Sequence, residues 1–147
     1  MTSQLSAKIT LWCSRVLMAG VLALALLLPG ALKWYNALRP LTGSARSAIL
    51  WGYYICTPAV LYALGMTGKI IRNILAERVF VVENVRLLRH LRWCCAAVGA
   101  VCLVCGFFYP PLLFLAVIMA FLALTVSLVK NVMAAAVELR EENDLTV

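Results

Sequence analysis

Four long uncharged segments dominate the sequence. They cover residues 16–32, 47–68, 93–109 and 112–129, and each contains 17 to 22 residues without Asp, Glu, Lys or Arg. A bilayer core of about 30 Å is crossed by about 20 helical residues, within a usable range of about 17–25. Charged residues make up only 13% of the chain, against roughly 25% in average soluble domains. The sequence therefore predicts an all-α integral membrane protein with four transmembrane helices in a lipid bilayer.

The tryptophans lie near the borders of these segments, where indole rings prefer the headgroup region. They are Trp12, Trp34, Trp51 and Trp93. With these markers, the predicted spans of a single four-helix domain are about 12–32, 48–68, 92–109 and 111–130. Flanking Lys and Arg side chains can extend the shorter spans by reaching toward the interface.

Prolines mark two of the predicted span ends. Pro29-Gly30 is expected to close the first span, and Tyr109-Pro110-Pro111 is expected to form a tight turn, because proline has no amide hydrogen and clashes with the preceding helical turn. The last two spans should therefore form a tight antiparallel hairpin. A cleaved signal peptide is the competing interpretation of the first span, since Pro29-Gly30-Ala31 offers small residues near a cleavage point. Cleavage would leave three spans.

Basic residues are distributed unevenly across the predicted membrane. With four spans, both termini and the middle loop share one side, which carries ten of the 13 Lys and Arg residues, whereas the other side carries three. Loops rich in Lys and Arg stay in the cytoplasm. The prediction is a multi-pass protein with both termini in the cytoplasm.

The middle loop, about 69–91, is basic and partly amphipathic. Residues 69–76 look like a helical continuation of the second span, and Asn84 occupies a position typical of an N-cap that opens a new helix. A basic amphipathic turn is attracted to anionic lipid headgroups, at about 1 kcal/mol per Lys or Arg. The alternative is a docking surface for an acidic partner. Direct nucleic-acid binding is not expected, because no recognised binding module accompanies the charge.

The tail, about 131–147, is rich in alanine at first and then acidic. Alanine favours a helix that continues from the fourth span. The simplest interpretation of the acidic cluster is a solvated helix end. Alternatively the cluster pairs with arginines of the middle loop, although exposed ion pairs contribute only about 0–1 kcal/mol each. The candidate partner-docking residues of loop and tail are Arg78, Arg86, Arg89, Arg92, Glu138, Glu141, Glu142 and Asp144.

The sequence lacks constellations typical of catalysis, cofactor binding or metal binding. Cys102 and Cys105 have a C-x-x-C spacing, but they lie within a predicted span without a second pair or a nearby histidine. Redox and metal motifs need accessible thiolates and further ligands. His90, the only histidine, lies among arginines at a membrane border. No catalytic, cofactor-binding or metal-binding residue is predicted, and an enzyme is not expected.

Small residues recur at four-residue spacing, which lets helix backbones approach closely. The pairs are Ala19 with Ala23, Gly52 with Cys56, Cys95 with Gly99 and Ala116 with Ala120. They are compatible with internal packing and equally with a homo-oligomer, and the sequence does not decide between the two.

A small transporter, or an accessory subunit of a membrane complex, is the functional alternative. Ionisable groups inside the membrane usually mark ion pathways, and the four uncharged segments contain none. The second span nevertheless carries Tyr54, Thr57 and Tyr62, which could line a small pocket. Pro58 on the same span frees a backbone carbonyl near Tyr54.

Two stretches in the second half of the chain resemble a bacterial membrane family. They are Phe80-Val81-Val82-Glu83-Asn84-Val85-Arg86-Leu87-Leu88-Arg89, which leads into the third span, and the ending Glu138-Leu139-Arg140-Glu141-Glu142-Asn143-Asp144-Leu145-Thr146-Val147. The family is the one named domain of unknown function 2975, whose members are similar in length and in having four spans. The resemblance implies no known activity. It implies a bacterial inner-membrane location and, because a small helix-turn-helix regulator is often encoded nearby, a non-enzymatic regulatory protein that docks a cytoplasmic DNA-binding regulator.

Overall fold

The computed structural model describes residues 2–145, with side chains from residue 8 onward. Within this range the chain forms four helices and no strand. The helices are α1 (Thr2–Leu38), α2 (Gly43–Leu75), α3 (Val82–Gly106) and α4 (Pro111–Leu145). Each is long and apolar enough to cross a membrane. The predicted all-α membrane fold is therefore confirmed. Residues Thr146 and Val147 of the predicted tail lie outside the described range.

The helices extend well beyond the predicted spans. α4 has 35 residues, which corresponds to about 52 Å at 1.5 Å per residue, whereas a bilayer core is about 30 Å thick. α2 continues through the first part of the predicted 69–91 loop, and α3 begins at Val82. Only residues 76–81 of that loop are therefore non-helical. We call the end of the molecule that carries residues 76–81 and the last turns of α4 the loop end.

The helices pack in chain order, as an open row. α1 contacts α2, α2 contacts α3, and α3 contacts α4 through the most extensive interface of the described chain. No other pair of helices within residues 2–145 brings its backbones together. The tight antiparallel hairpin predicted for the last two spans is confirmed, because only residues 107–110 separate α3 from α4.

Two glycines allow the close approach of α3 and α4. A Cβ atom on Gly99 would lie 3.3 Å from the Cβ of Met119, and one on Gly106 would lie 2.5 Å from Cδ2 of Leu113. The first distance is tight and the second is a clash, so a side chain at Gly106 would push the two helices apart. Small residues therefore set the spacing of the hairpin, as expected where packing rather than the hydrophobic effect holds helices together in lipid.

The predicted small-residue pairs have different surroundings. A Cβ atom on Gly52 would lie 3.1 Å from Sγ of Cys105, so this glycine lets α2 approach α3. Ala19 and Ala23 of α1 are exposed. The pairs on α2 and α3 thus contribute to internal packing, and the pair on α1 remains on the surface.

α1 and α2 are joined by hydroxyl groups that donate to backbone carbonyls. α1 continues through Pro29 to Leu38, so Pro29-Gly30 does not end the helix, contrary to expectation. Pro29 has no amide hydrogen, which leaves the carbonyl of Ala25 without its usual helical donor. The hydroxyl of Tyr54 donates to this carbonyl at 2.8 Å. A neighbouring helix thus replaces the missing hydrogen bond, which explains how the proline is tolerated inside a membrane helix.

Candidate functional site

A crevice of about 380 Å³ lies at the loop end, between the α2–α3 connection and the last turns of α4. We call it the loop–tail crevice. Its lining residues are Glu77, Arg78, Phe80, Val81, Val82, Val137, Arg140, Glu141 and Asp144. It combines apolar side chains with acidic and basic ones, so it can contact both the apolar and the charged parts of a binding partner.

The first wall of the crevice depends on how α2 ends. Glu77 has φ 59°, in the left-handed region. Its amide donates to the carbonyl of Ile74 at 3.0 Å, and the amide of Arg78 donates to the carbonyl of Asn73 at 2.9 Å. This pair of bonds is the Schellman arrangement, which normally has glycine at the left-handed position. The turn reverses the chain within two residues and places Glu77 and Arg78 at the edge of the crevice.

The same loop is held from inside by Asn84, which is fully buried. Its Nδ2 donates to the carbonyls of Arg78 at 3.1 Å and Val79 at 2.8 Å. Its Oδ1 accepts from Nδ2 of Asn73 at 2.7 Å. Both Nδ2 hydrogens and the Oδ1 oxygen therefore have partners, and the side chain ties the end of α2, the loop and the start of α3 together.

The prediction that Asn84 is an N-cap is wrong. α3 begins at Val82 with Val81 as its N-cap residue, and no side chain caps this end. Asn84 lies in the first turn of α3, and its side chain bonds the preceding loop rather than the free amides of its own helix. The carbonyls of Arg78 and Val79 have no other donor in the extended loop. Their need for a hydrogen-bond donor outweighs capping of α3 by the Asn84 side chain.

The second wall is one face of α4. Arg140, Glu141 and Asp144 follow Val137 by three, four and seven residues, so all four lie on one side of the helix. Val137 is only 8% exposed, whereas the other three are exposed. This valine therefore anchors the outer part of α4 against the loop, and the charged residues lie at the rim.

Apolar side chains remain accessible inside the rim. Phe80 is 46% exposed and Val82 is 54% exposed. Three of the charged lining residues are acidic (Glu77, Glu141 and Asp144) and two are basic, Arg78 and Arg140. The crevice thus has an accessible apolar floor and a slightly acidic rim.

The structure brings together some of the predicted docking residues and separates others. Arg78, Glu141 and Asp144 line the loop–tail crevice. Four others are exposed or partly exposed and lie outside its lining: Arg86, Arg89, Glu138 and Glu142. Arg92 lies elsewhere, where it donates to Oγ of Ser127 at 3.4 Å.

Sequence reasoning missed the apolar residues of the crevice. Phe80 and Val82 belong to a β-branched and aromatic run with no periodicity, and Val137 follows three alanines. The spacing of Val137 to Glu141 and Asp144 was the one available signal, since residues at i, i+4 and i+7 share a helix face.

The three residues predicted to line a transport pocket, Tyr54, Thr57 and Tyr62, do not line one common cavity. Thr57 lines a cavity of about 250 Å³ between the helices, together with Tyr53 and three cysteines, Cys56, Cys102 and Cys105. Tyr54 is 43% exposed and bonds α1, and Tyr62 is 56% exposed. The hydroxyls of the cavity are already used, because Tyr53 donates to the Val21 carbonyl at 2.7 Å and Thr57 donates to the Tyr53 carbonyl at 2.8 Å.

Metal-ligating side chains do not cluster in the part of the chain that the structure describes. No group of three or more His, Cys, Asp or Glu residues between positions 2 and 145 has a geometry that could hold a metal ion. The three cavity cysteines are included in this statement.

Comparison with known proteins identifies the family of the chain. No curated protein and no solved structure matches the sequence significantly. Residues 16–147 match the family described as Protein of unknown function (DUF2975). The match includes α1 from residue 16 onward, all of α2, α3 and α4, the α2–α3 connection and the acidic tail. The resemblance inferred from residues 80–89 and 138–147 is therefore confirmed, and the chain belongs to the DUF2975 family.

Proposed function

We propose that this protein is a non-enzymatic interaction protein of the bacterial inner membrane that holds a cytoplasmic protein partner at the loop–tail crevice. The observation that carries the proposal is the accessible apolar floor, Phe80 and Val82, inside a charged rim on a loop fixed by buried Asn84. Exposed apolar surface rimmed by polar residues is typical of protein interaction sites. The excess of basic residues at the loop end supports a cytoplasmic location for it.

The position of the crevice supports binding from the aqueous phase. Val137 follows Lys130, the first charged residue after the last uncharged segment, by seven residues. Seven helical residues correspond to about 10 Å, so the crevice lies outside the hydrocarbon core. A soluble partner can reach it without entering the lipid.

The dimensions of the crevice indicate the kind of contact. A volume of about 380 Å³ accommodates one or two apolar side chains rather than a whole domain. The acidic rim residues Glu141 and Asp144 favour a basic residue beside such an anchor. An amphipathic helix with an apolar anchor and a basic flank fits this description. We propose a small helix-turn-helix DNA-binding regulator as the partner, which the protein would hold at the membrane.

Site-specific photocrosslinking tests the proposal. A photoreactive amino acid at position 82, inside the crevice, should form an adduct with the partner in native cells. The matched position is 139, because Leu139 is 67% exposed on the same tail but does not line the crevice. Position 139 should give little adduct, and Glu141→Gln should reduce the adduct at position 82 more than Glu138→Gln. Equal adducts at positions 82 and 139, or none at either, would contradict the proposal.

A small transporter is the second candidate function, supported by the internal cavity that Tyr53 and Thr57 line. Its volume of about 250 Å³ suits a small apolar solute, because the hydroxyl hydrogens are already donated to carbonyls. Thr57→Leu would narrow this cavity and remove its hydroxyl. If the protein is a transporter, this variant should abolish solute flux and leave the adduct at position 82 unchanged. Unaltered flux in the variant would argue against transport through the cavity.

A further inference from the structure

A separate groove runs along an open side of the α3–α4 hairpin. Its volume is about 600 Å³, and its sides are apolar, with Ala96, Ala100 and Leu103 on α3 and Val117, Ala120 and Leu124 on α4. Small-molecule sites typically have about 300–1,000 Å³. The groove is therefore large enough for a ligand rather than a single trapped methyl group.

One end of the groove is polar. Arg92, Trp93 and Ser127 line it there. The guanidinium of Arg92 donates to Oγ of Ser127 at 3.4 Å and lies 5.4 Å from the centroid of the Trp93 ring. A guanidinium carries five N–H donors, and the hydroxyl of Ser127 accepts one of them. The remaining donors are available to an anion.

Further positive charge lies one turn beyond Arg92 toward the loop end. Arg89 precedes Arg92 by three residues, and Lys130 follows Ser127 by three. Residues at i and i+3 are neighbours on a helix surface, so both cations continue the polar end of the groove. We call Arg89, Arg92 and Lys130 the basic mouth. Position 92 is also the predicted border of the third span, at the level of lipid headgroups.

We propose that this groove is a binding site for an anionic phospholipid, with the phosphate at the basic mouth and an acyl chain along the apolar part. Basic pockets between membrane helices are known to bind acidic lipid headgroups. The groove is complementary to such a lipid. Its cationic end lies at headgroup depth, where the phosphate would bind, and its apolar part continues into the hydrocarbon core, where an acyl chain would lie. The proposal is independent of the partner-docking function.

Charge argues against a second copy of this chain as the occupant. The chain has a formal net charge of +7, and ten of its 13 Lys and Arg residues lie at the loop end. All six Asp and Glu residues also lie at this end, but they are outnumbered, so a second copy would bring a net positive charge to the level of the basic mouth, where it would repel Arg92 and Lys130. A lipid phosphate brings the opposite charge.

The test is lipid titration of the purified full-length protein, followed by native mass spectrometry. The probes are phosphatidylglycerol and phosphatidylcholine with identical acyl chains, so only headgroup charge differs. The wild-type protein should retain phosphatidylglycerol preferentially. Arg92→Gln should weaken its binding about five-fold, as expected for one cation at an anionic headgroup. Arg72→Gln is the matched control, because Arg72 is exposed at the same end of the molecule but lies on α2, away from the groove.

A second variant tests the apolar part and guards against misfolding of Arg92→Gln. Ala100 is exposed and lines the groove, so Ala100→Phe obstructs the apolar part of the groove while the charges remain. This variant should reduce retention of both lipids. Equal retention of the two lipids by the wild-type protein, or equal effects of Arg92→Gln and Arg72→Gln, would overturn the proposal. A wild-type dimer that Ala100→Phe dissociates would overturn it too, because the groove would then be an interface between copies.

Discussion

Removal of the Tyr54 hydroxyl should destabilise the protein more than removal of the neighbouring Tyr53 hydroxyl. Both side chains donate to carbonyls of α1, at 2.8 Å to Ala25 and at 2.7 Å to Val21. The two acceptors differ, because the helical donor to Ala25 would be the amide of residue 29, which is proline. The carbonyl of Val21 retains a helical donor when Tyr53 is changed. Tyr54→Phe leaves the Ala25 carbonyl without one.

The expected magnitudes follow from the two acceptors. Hydrogen bonds between membrane helices contribute about 0.6 kcal/mol on average and about 1.7 kcal/mol at most. Tyr53→Phe should cost about the average, since its acceptor remains bonded. Tyr54→Phe should cost about 1.5 kcal/mol, near the upper end, because an unsatisfied carbonyl remains in the hydrocarbon. The two substitutions are otherwise matched, since each removes one oxygen from a tyrosine on the same turn of α2.

The free energy of unfolding can be measured for each variant by reversible denaturation in mixed micelles. Pro29→Ala supplies the missing amide and provides the decisive background. In that background, the cost of Tyr54→Phe should fall to that of Tyr53→Phe. An equal cost of the two single substitutions, or an unchanged cost of Tyr54→Phe beside Pro29→Ala, would refute this explanation of how the proline is tolerated.

The other predictions concern the hairpin and the α2–α3 loop. Gly106→Ala should lower the free energy of unfolding by about 1–3 kcal/mol, because the added Cβ overpacks against Leu113. In the same unfolding assay Gly20→Ala should have almost no effect, because a Cβ at that position would have no neighbour within 4 Å. Glu77→Gly should stabilise the loop by up to about 1 kcal/mol, because glycine adopts φ 59° without strain; slower amide hydrogen exchange in residues 76–81 would show it, and faster exchange would contradict it. Asn84→Ala should lower the free energy of unfolding by about 1–3 kcal/mol, because the Arg78 and Val79 carbonyls lose their donor. It should also increase tryptic cleavage at the loop, whereas unchanged cleavage would argue against its role as the loop's anchor.

The transmembrane architecture could be predicted because lipid imposes a simple length requirement. Uncharged segments of 17 to 22 residues are sufficient to count four helices, and Pro110-Pro111 is sufficient to locate the hairpin turn. The true helix ends could not be found in this way. A helix continues past the membrane as long as its backbone bonds are made, and α4 continues to Leu145 through a charged segment with no break in its hydrogen bonding.

The candidate site was predictable only in part, because its residues come from segments far apart in the sequence. Charge alone suggested Arg78, Glu141 and Asp144. The contribution of Phe80 and Val137 depends on the alignment of α4 along α3, which close packing at Gly99 and Gly106 determines. Asn84 was misassigned for a similar reason, since its partners lie in the preceding loop and on α2 rather than in its own helix.

The short connection between α3 and α4 has a consequence for biosynthesis. Residues 107–110 are Phe-Phe-Tyr-Pro, with no formal charge. Insertion of these two helices with the orientation predicted from the basic residues would require the transfer of only a few uncharged residues across the bilayer, and the positive charges at Arg92 and Lys130 would not have to cross it. The pair can enter the membrane from one side as a preassembled unit, with its backbone bonds already formed and Gly99 and Gly106 of α3 already packed against α4.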